Sequence, residues 1–291
     1  PEGYSHREGQ PLPLIVQKAD GGYGYAATDL AALRDRFGRL GADLVLYVVG
    51  APQAQHFAMC VAVATAAGWI PPGKRAVHVG FGSVLGPDHK MLASRSGGAV
   101  KLVELLDEAV ARAGALVDTK DPDLDPGERA EVADMVGIGA VKYADLSTDR
   151  VRDYVFDWDR MLAFDGNTAP YLQYARVRCL SIFRHGELEV APYLAGSVPV
   201  VLADPAERAL ALRLLGFASA VESTLDTWSP HKLCSYLFDL AGDFTAFFET
   251  CPVLKAGDAA VRDSRLVLCA VTASVLGRGL SLLGIGAPER M

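Results

Sequence analysis

The chain has 291 residues, 51% hydrophobic and 22% charged, a globular composition that excludes a largely disordered chain and suits one large domain or two ordinary ones. Its net charge of −7, from 28 Lys+Arg against 35 Asp+Glu, argues against a protein that coats nucleic acid non-specifically. The acidity is uneven: residues 166–291 hold 11 basic and 12 acidic side chains, residues 1–165 hold 17 and 23, so the C-terminal part repels a polyanion less.

Pro13–Lys18 reads as a short apolar strand, followed by a glycine-rich bend at Asp20-Gly21-Gly22. Thr28 is a candidate cap for a helix whose apolar residues Leu30, Leu33, Phe37 and Leu40 recur at helical spacing, with Gly41 as its stop. Leu44–Val49 is a near-continuous apolar run with β-branched residues, the pattern of a strand covered on both faces. An alanine-rich helix over 52–67 and a second buried strand over 76–81 complete a βαβ crossover, which implies a parallel sheet. Residues 82–98 form a polar, glycine-punctuated loop, and the next helix carries Val103, Leu106 and Val110 on one face. Asp118–Gly127, with Asp121-Pro122-Asp123 and Asp125-Pro126-Gly127, is the strongest linker signal. Beyond it the spacing predicts helices over 128–145, 151–163, 168–185, 204–225, 230–249 and 258–282. The fold class is therefore α/β then all-α.

Mean hydropathy is +0.19, yet the apolar stretches Leu44–Gly50 and Leu266–Leu276 fall short of the roughly 18–20 apolar residues of a membrane helix. The opening residues Pro1-Glu2-Gly3-Tyr4-Ser5-His6-Arg7 show no basic-then-apolar leader, so export is not expected and the location expected is cytoplasmic, without a membrane. Cys60, Cys179, Cys234, Cys251 and Cys269 lie at wide, irregular spacing with no Cys-x-x-Cys and no Cys/His cluster. The expectation is buried, reduced thiols and no protein-bound metal.

A lysine- and hydroxyl-rich glycine loop after a parallel strand is a usual seat for phosphate. Lys90, Ser94, Arg95 and Ser96 supply cations and hydroxyls, and Gly97-Gly98 lets backbone N–H groups approach an anion; the same composition also suits a plain solvated loop. There is no Walker A motif and no Gly-x-Gly-x-x-Gly. Tyr25 and Asp29, four apart at a helix start, can face one pocket, where a carboxylate and a phenol suit a guanidinium or ammonium group; Asp29 near the helix start equally suits capping. Gln53 and His56 open the next helix at the same strand edge. Tyr171 and Tyr174 with Arg176 and Arg178 form an aromatic and cationic cluster of the kind that stacks bases and holds phosphates, or that packs a bundle.

In sequence these stretches resemble arginyl-tRNA synthetase, a class I aminoacyl-tRNA synthetase, over essentially the whole chain. The most specific matches are Gln17-Lys18-Ala19-Asp20-Gly21-Gly22 with Tyr25-Ala26-Ala27-Thr28-Asp29-Leu30, Gly50-Ala51-Pro52-Gln53-Ala54-Gln55-His56-Phe57, and Ser94-Arg95-Ser96-Gly97-Gly98. Phe156-Asp157-Trp158-Asp159, Gly166-Asn167-Thr168-Ala169-Pro170-Tyr171-Leu172-Gln173-Tyr174-Ala175 and Ala287-Pro288-Glu289-Arg290-Met291 complete the set.

The resemblance implies a partial Rossmann-like nucleotide-binding sheet in residues 1–117, connecting helices in 118–165 and a helical anticodon-binding domain in 166–291. It implies the conversion of ATP, arginine and tRNA(Arg) to arginyl-tRNA, AMP and pyrophosphate, with Mg2+ accompanying ATP and with no DNA partner. Tyr25, Asp29 and Gln53 would line the arginine pocket; His56, Val79, Gly80, Gly82 and Met91 would border ATP. Lys90, Ser94 and Arg95 would stand in for the Lys-Met-Ser-Lys-Ser loop, and Tyr171, Tyr174, Arg176 and Arg178 would meet the tRNA. Ala93 stands where relatives often have lysine, and none of the six histidines forms the family's His-x-Gly-His signature. The chain thus resembles roughly the C-terminal half of the enzyme and is expected to be inactive by itself. An incomplete sheet would leave an apolar edge and face near Leu44–Val49 and Ala76–Phe81 for a missing N-terminal half or for self-association. A non-catalytic tRNA-binding module is the alternative.

Overall fold

A computed structural model describes residues 4, 10, 12–90, 101–120 and 124–291. The chain divides into two compact units, Pro1–Ser83 with Val151–Asp153, and Val84–Arg150 with Tyr154–Met291. The division falls at Ser83/Val84, not in the 118–127 segment, because α3 (Leu102–Lys120) and α4 (Pro126–Ser147) pack against each other.

In the first unit, α1 (Tyr25–Gly38) and α2 (Ala54–Ala66) flank the parallel pair β1 (Leu44–Gly50) and β2 (Arg75–Phe81), in register from Leu44 opposite Arg75 to Gly50 opposite Phe81. The expected βαβ unit is therefore present. Leu30, Leu33 and Phe37 of α1 pack with Val45 and Tyr47 of β1 and Phe57, Cys60 and Ala64 of α2. Only one face of β1 is covered by the described residues: Val45 and Tyr47 are buried, whereas Leu44, Leu46 and Val48 are exposed, Val48 by 65%. Coverage of both faces, expected from the apolar run, is not found.

Two further expectations fail here. Pro13–Lys18 forms no strand; a single bridge joins Gln17 to Tyr23 across a turn in which Gly21 has φ +83. Lys18 N–H and Gly22 O close that turn, so the segment bonds to itself and not to a sheet. Helix α1 starts at Tyr25, not after Thr28; Gly24 is the cap residue and the Thr28 hydroxyl donates to Tyr25 O.

The second unit is mostly helical: α3 and α4, then α5 (Trp158–Met161), α6 (Ala169–His185), α7 (Ala191–Leu194), α8 (Pro205–Leu215), α9 (Phe217–Thr227), α10 (His231–Thr250) and α11 (Ala259–Leu282). A short parallel pair, β3 (Val84–Leu85) and β4 (Tyr154–Val155), joins it. The helix expected over 151–163 is thereby corrected: residues 154–156 bond to β3, with Phe156 N–H donating to Leu85 O, and the Asp157 carboxylate then caps the short α5. The helix expected over 204–225 is broken at Gly216, where the Tyr236 hydroxyl takes the Arg213 carbonyl.

The core is built from α6, α10 and α11, with Leu172, Phe183, Leu237, Leu240, Phe244, Phe247, Leu266 and Leu276 fully or almost fully buried. Helix α11 is longer than the Leu266–Leu276 run and is, by length and composition, apolar enough to cross a membrane; half of its most apolar window is buried inside the unit. All five cysteines are free and buried, and burial pushes the Cys60 and Cys234 thiols up to about 11 and 12.

Gly137 marks the closest approach of α3 and α4: a Cβ there would sit 2.7 Å from the backbone of Ala109 and Val110. Helix propensity alone favours alanine over glycine by about 1 kcal/mol. We expect Gly137→Ala to lower Tm all the same, because rigid backbone must give way. Gly242→Ala, on α10 with open space around it, should raise Tm by a few degrees. Thermal melts of the two variants check the opposite signs.

Candidate functional site

The carboxyl ends of β1 and β2 lie side by side and open onto the starts of two helices. Gly50 leads into a single 3-10 turn, Ala51–Gln53, held by Pro52, and α2 begins at Ala54. This places Gln53 exposed at the strand edge and His56 one turn into α2. Tyr25 opens α1, 87% exposed, and Asp29 lies one turn further along.

The Asp29 carboxylate and the His56 imidazole meet across α1 and α2: Nε2 lies 2.7 Å from Oδ2, with the two side chains 29% and 28% exposed. Asp29 therefore does not cap α1. The Cys60 thiol, one turn along α2, lies 3.7 Å from the same Nε2. Oxygen, nitrogen and sulfur thus converge within 4.8 Å. A zinc ion would hold its nitrogen and oxygen ligands about 3.3 Å apart, from bonds near 2 Å in a tetrahedral array. The direct 2.7 Å contact is shorter than that separation and is a hydrogen bond, so the trio as it stands is a polar cluster. His56, expected beside ATP, touches the carboxylate expected to bind arginine. Among the described residues no lysine or arginine pairs with Asp29.

Val79 is buried in β2 and Gly80 follows it. A Cβ on Gly80 would lie 3.0 Å from His78 Cε1 and 3.5 Å from Ala51 Cα, so the strand end and the turn after β1 approach closely there. The His78 imidazole meets Val49 O at 3.0 Å and stacks on Phe57, which fixes the edge from beneath. Gly82 has a different constraint: a Cβ would collide with the backbone of Arg152 and Asp153, and Ser83 N–H donates to the Asp153 carboxylate at 2.6 Å. Its lack of a side chain is required by the 151–153 segment, whatever it borders.

Lys90 is exposed and belongs to the second unit, after a turn in which Gly86 N–H donates to Lys90 O and His89 has φ +59. Met91, Ser94 and Arg95 lie outside the described residues, as does the Gly97-Gly98 pair.

On α6 the four aromatic and cationic residues do not form one patch. Tyr171 turns inward, its ring 5.7 Å from Phe238. Arg176 donates to the carbonyls of Ala287 and Pro288 at 3.0 and 2.8 Å, through the space that Gly277 leaves, and Arg184 donates to Glu289 O. Those two arginines fasten the C-terminal tail. Tyr174 and Arg178 remain together at the surface, and the structure adds Phe248: the Arg178 guanidinium lies 4.5 Å from the Phe248 ring and 5.8 Å from that of Tyr174. Phe248 was missed because Phe247-Phe248 reads as one apolar pair. Neighbours on a helix point about 100° apart, so Phe247 fills the core and Phe248 faces out.

Two family models match the chain: "tRNA synthetases class I (R), catalytic domain" over residues 4–158 and "DALR anticodon binding domain" over residues 172–291. The arginine–tRNA ligase of Thermobifida fusca is 56% identical over 290 residues, covering 100% of this chain and 50% of that protein. That of Alcanivorax borkumensis is 49% identical, covering 100% and 49%. Among solved structures, the arginyl-tRNA synthetases of Plasmodium falciparum and Thermus thermophilus each superpose with a TM-score of 0.82, at 33% and 30% identity, covering 98% and 96% of this chain and 48% and 51% of theirs. The chain spans about half the length of the curated relatives it matches.

Proposed function

This chain belongs to the arginyl-tRNA synthetase family, and on that premise we propose that it supplies the arginine pocket and the anticodon-binding domain of an arginine–tRNA ligase working in the cytoplasm. The observation that carries the reading is Asp29: a half-buried carboxylate at the carboxyl edge of a parallel sheet, one helical turn after Tyr25, in contact with His56 and without a lysine or arginine partner among the described residues. A guanidinium fork is the ligand that such a carboxylate takes best. Substrates lacking that planar cation leave the carboxylate poorly paired and are rejected.

In the reaction, the arginine carboxylate attacks the α-phosphate of ATP and pyrophosphate leaves; a terminal ribose hydroxyl of the tRNA then attacks the activated carbonyl and AMP leaves. This chain contributes positioning and electrostatics and no covalent nucleophile. Asp29 fixes the guanidinium, with Tyr25 as a wall and Gln53 as a polar contact. Val79, Gly80 and Gly82 border the adenine. Lys90, with Ser94 and Arg95, steadies the departing pyrophosphate. Mg2+ enters on the ATP phosphates, since the one described cluster of ligating side chains carries a thiol and suits a hard cation poorly. Tyr174, Arg178 and Phe248 present the stacking and cationic surface for tRNA. The open apolar face of β1 is where the N-terminal half of the nucleotide-binding fold would pack.

The test is charging of total tRNA with labelled arginine and ATP, by this chain alone and with the N-terminal half of the Thermobifida fusca enzyme supplied in trans. Charging of arginine and not lysine in the mixture supports the reading. A salt-sensitive gel shift with tRNA, but no charging in the mixture, would leave a tRNA-binding module instead.

A further inference from the structure

Val79 and Gly80 end β2 and Gly82 follows it, so the proposed adenine border is largely bare backbone. One side of it is set by the turn after β1, since a Cβ on Gly80 would lie 3.5 Å from Ala51 Cα. The other side is set by a segment seventy residues away in the chain. Ser83 N–H donates to Oδ1 of Asp153 at 2.6 Å. Gly82 lies so close to the same segment that a Cβ there would collide with the Arg152 carbonyl.

Residues 151–153 are a short excursion of the chain into the first unit. The residues on either side of the excursion are tied within the second unit. Before it, the Arg150 guanidinium donates to Trp228 O at 2.9 Å, at the end of α9. After it, Tyr154–Val155 pairs with Val84–Leu85, and Phe156 N–H donates to Leu85 O at 2.8 Å. Asp153 is therefore presented by chain that is fixed at both ends. A flat base gripped by backbone loses contact as soon as that backbone shifts, and a binding group must be held within about 0.5 Å to work.

Resting on the reading of Val79, Gly80 and Gly82 as the adenine border, we propose that Asp153 is a positioning residue for ATP. By holding Ser83 N–H it sets the backbone of Gly82 against which the base packs. It acts through Ser83 and Gly82 and not on the substrate. The role needs an acceptor at Oδ1 rather than a charge, and asparagine supplies the same acceptor. The arginine side of the site is carried by α1 and by the turn after β1, so the effect is confined to the nucleotide.

The experiment uses this chain, isotope-labelled, mixed with the N-terminal half of the Thermobifida fusca enzyme. It reads arginine-dependent ATP–pyrophosphate exchange, and the amide signals of Val79, Gly80 and Gly82 as ATP is added. Asp153→Ala is expected to raise KM for ATP about threefold to tenfold, the scale of one net hydrogen bond, with kcat, KM for arginine and Tm unchanged. Asp153→Asn should return KM for ATP to near the wild-type value. If Asp153→Ala leaves KM for ATP unchanged while ATP still moves the three amide signals, the inference falls and the nucleotide reading stands. The inference falls equally if Asp153→Ala lowers Tm and raises both KM values together, or if Asp153→Asn behaves like alanine. If ATP moves none of the three signals in the wild-type mixture, the adenine reading of this edge falls and the inference with it.

Discussion

Glu207→Ala is expected to destabilise the helical unit by about 3–5 kcal/mol, the usual consequence of removing one partner of a buried ion pair. Glu207 is fully buried at the start of α8. One carboxylate oxygen accepts from the backbone N–H groups of Ala203 and Asp204 at 2.6 and 2.9 Å; the other accepts from Arg265 Nε of α11 at 2.6 Å. Arg265 in turn donates to Pro252 O, beyond the end of α10. Alanine would orphan two N–H groups and leave the Arg265 guanidinium, 13% exposed, without its counter-charge. A Tm drop of roughly 10–15 °C is expected for a unit of this size. Because the loss comes from the unpaired arginine as much as from the missing bond, the double variant Glu207→Met with Arg265→Met should recover most of it. A double variant no more stable than Glu207→Ala would contradict that account.

The same residue sets a pH dependence. Burial pushes the Glu207 carboxyl up, but the N–H groups of Asp204 and Ala203 and the Arg265 guanidinium outweigh it, and the net shift is downward. A carboxyl with a lowered folded pKa contributes stability that is fully present above its unfolded value, near 4.5. That contribution is lost as pH falls through the folded value. The stability difference between wild type and Glu207→Gln should therefore be constant at neutral pH and shrink in acid.

Asp29→Asn is expected to lower kcat/KM for arginine by about 10²–10³-fold in ATP–pyrophosphate exchange with the N-terminal half supplied. Truncating one member of a desolvated, hydrogen-bonded charge pair costs about 2–5 kcal/mol, and 1.4 kcal/mol is a factor of ten. Asparagine keeps the shape, so the loss reports the charge. KM for ATP should stay within about twofold, because no nucleotide contact is assigned to Asp29. The fold should tolerate the change: the His56 pair is partly exposed, and such pairs contribute no more than about 1 kcal/mol. An unchanged KM for arginine would remove Asp29 from the pocket and with it the observation on which the function rests.

Much of the architecture was legible in the chain because it is encoded locally. The 3.6-residue spacing of Leu30, Leu33 and Phe37, the strand runs over 44–49 and 76–81 and the crossover between them identify the parallel unit. The helices of 128–145, 168–185, 230–249 and 258–282 are each long and periodic, and they form within a few residues of expectation. Two of the failures involve partners distant in the sequence. Residues 154–156 carry an apolar spacing that a helix would accept, but β3 offers them hydrogen-bond partners some seventy residues upstream. Gly216 separates α8 from α9, and beside that break a tyrosine from another helix donates to the Arg213 carbonyl.

The candidate site divides the same way. Which residue types stand at the carboxyl edge of the sheet, Tyr25, Asp29, Gln53 and His56, was set by the sequence alone, since strand ends and helix starts follow from local pattern. Which of them touch was decided by the tertiary structure. Asp29 and His56 lie 27 residues apart on helices whose relative rotation depends on how Leu33, Phe57 and Cys60 fill the space between them. Arg176, Arg178 and Arg184 look alike in the sequence; the path of the C-terminal tail captures the first and last by their guanidinium groups and leaves Arg178 against Phe248. Local spacing fixes the direction in which a side chain leaves its own helix, and only the packing of other segments fixes what it meets.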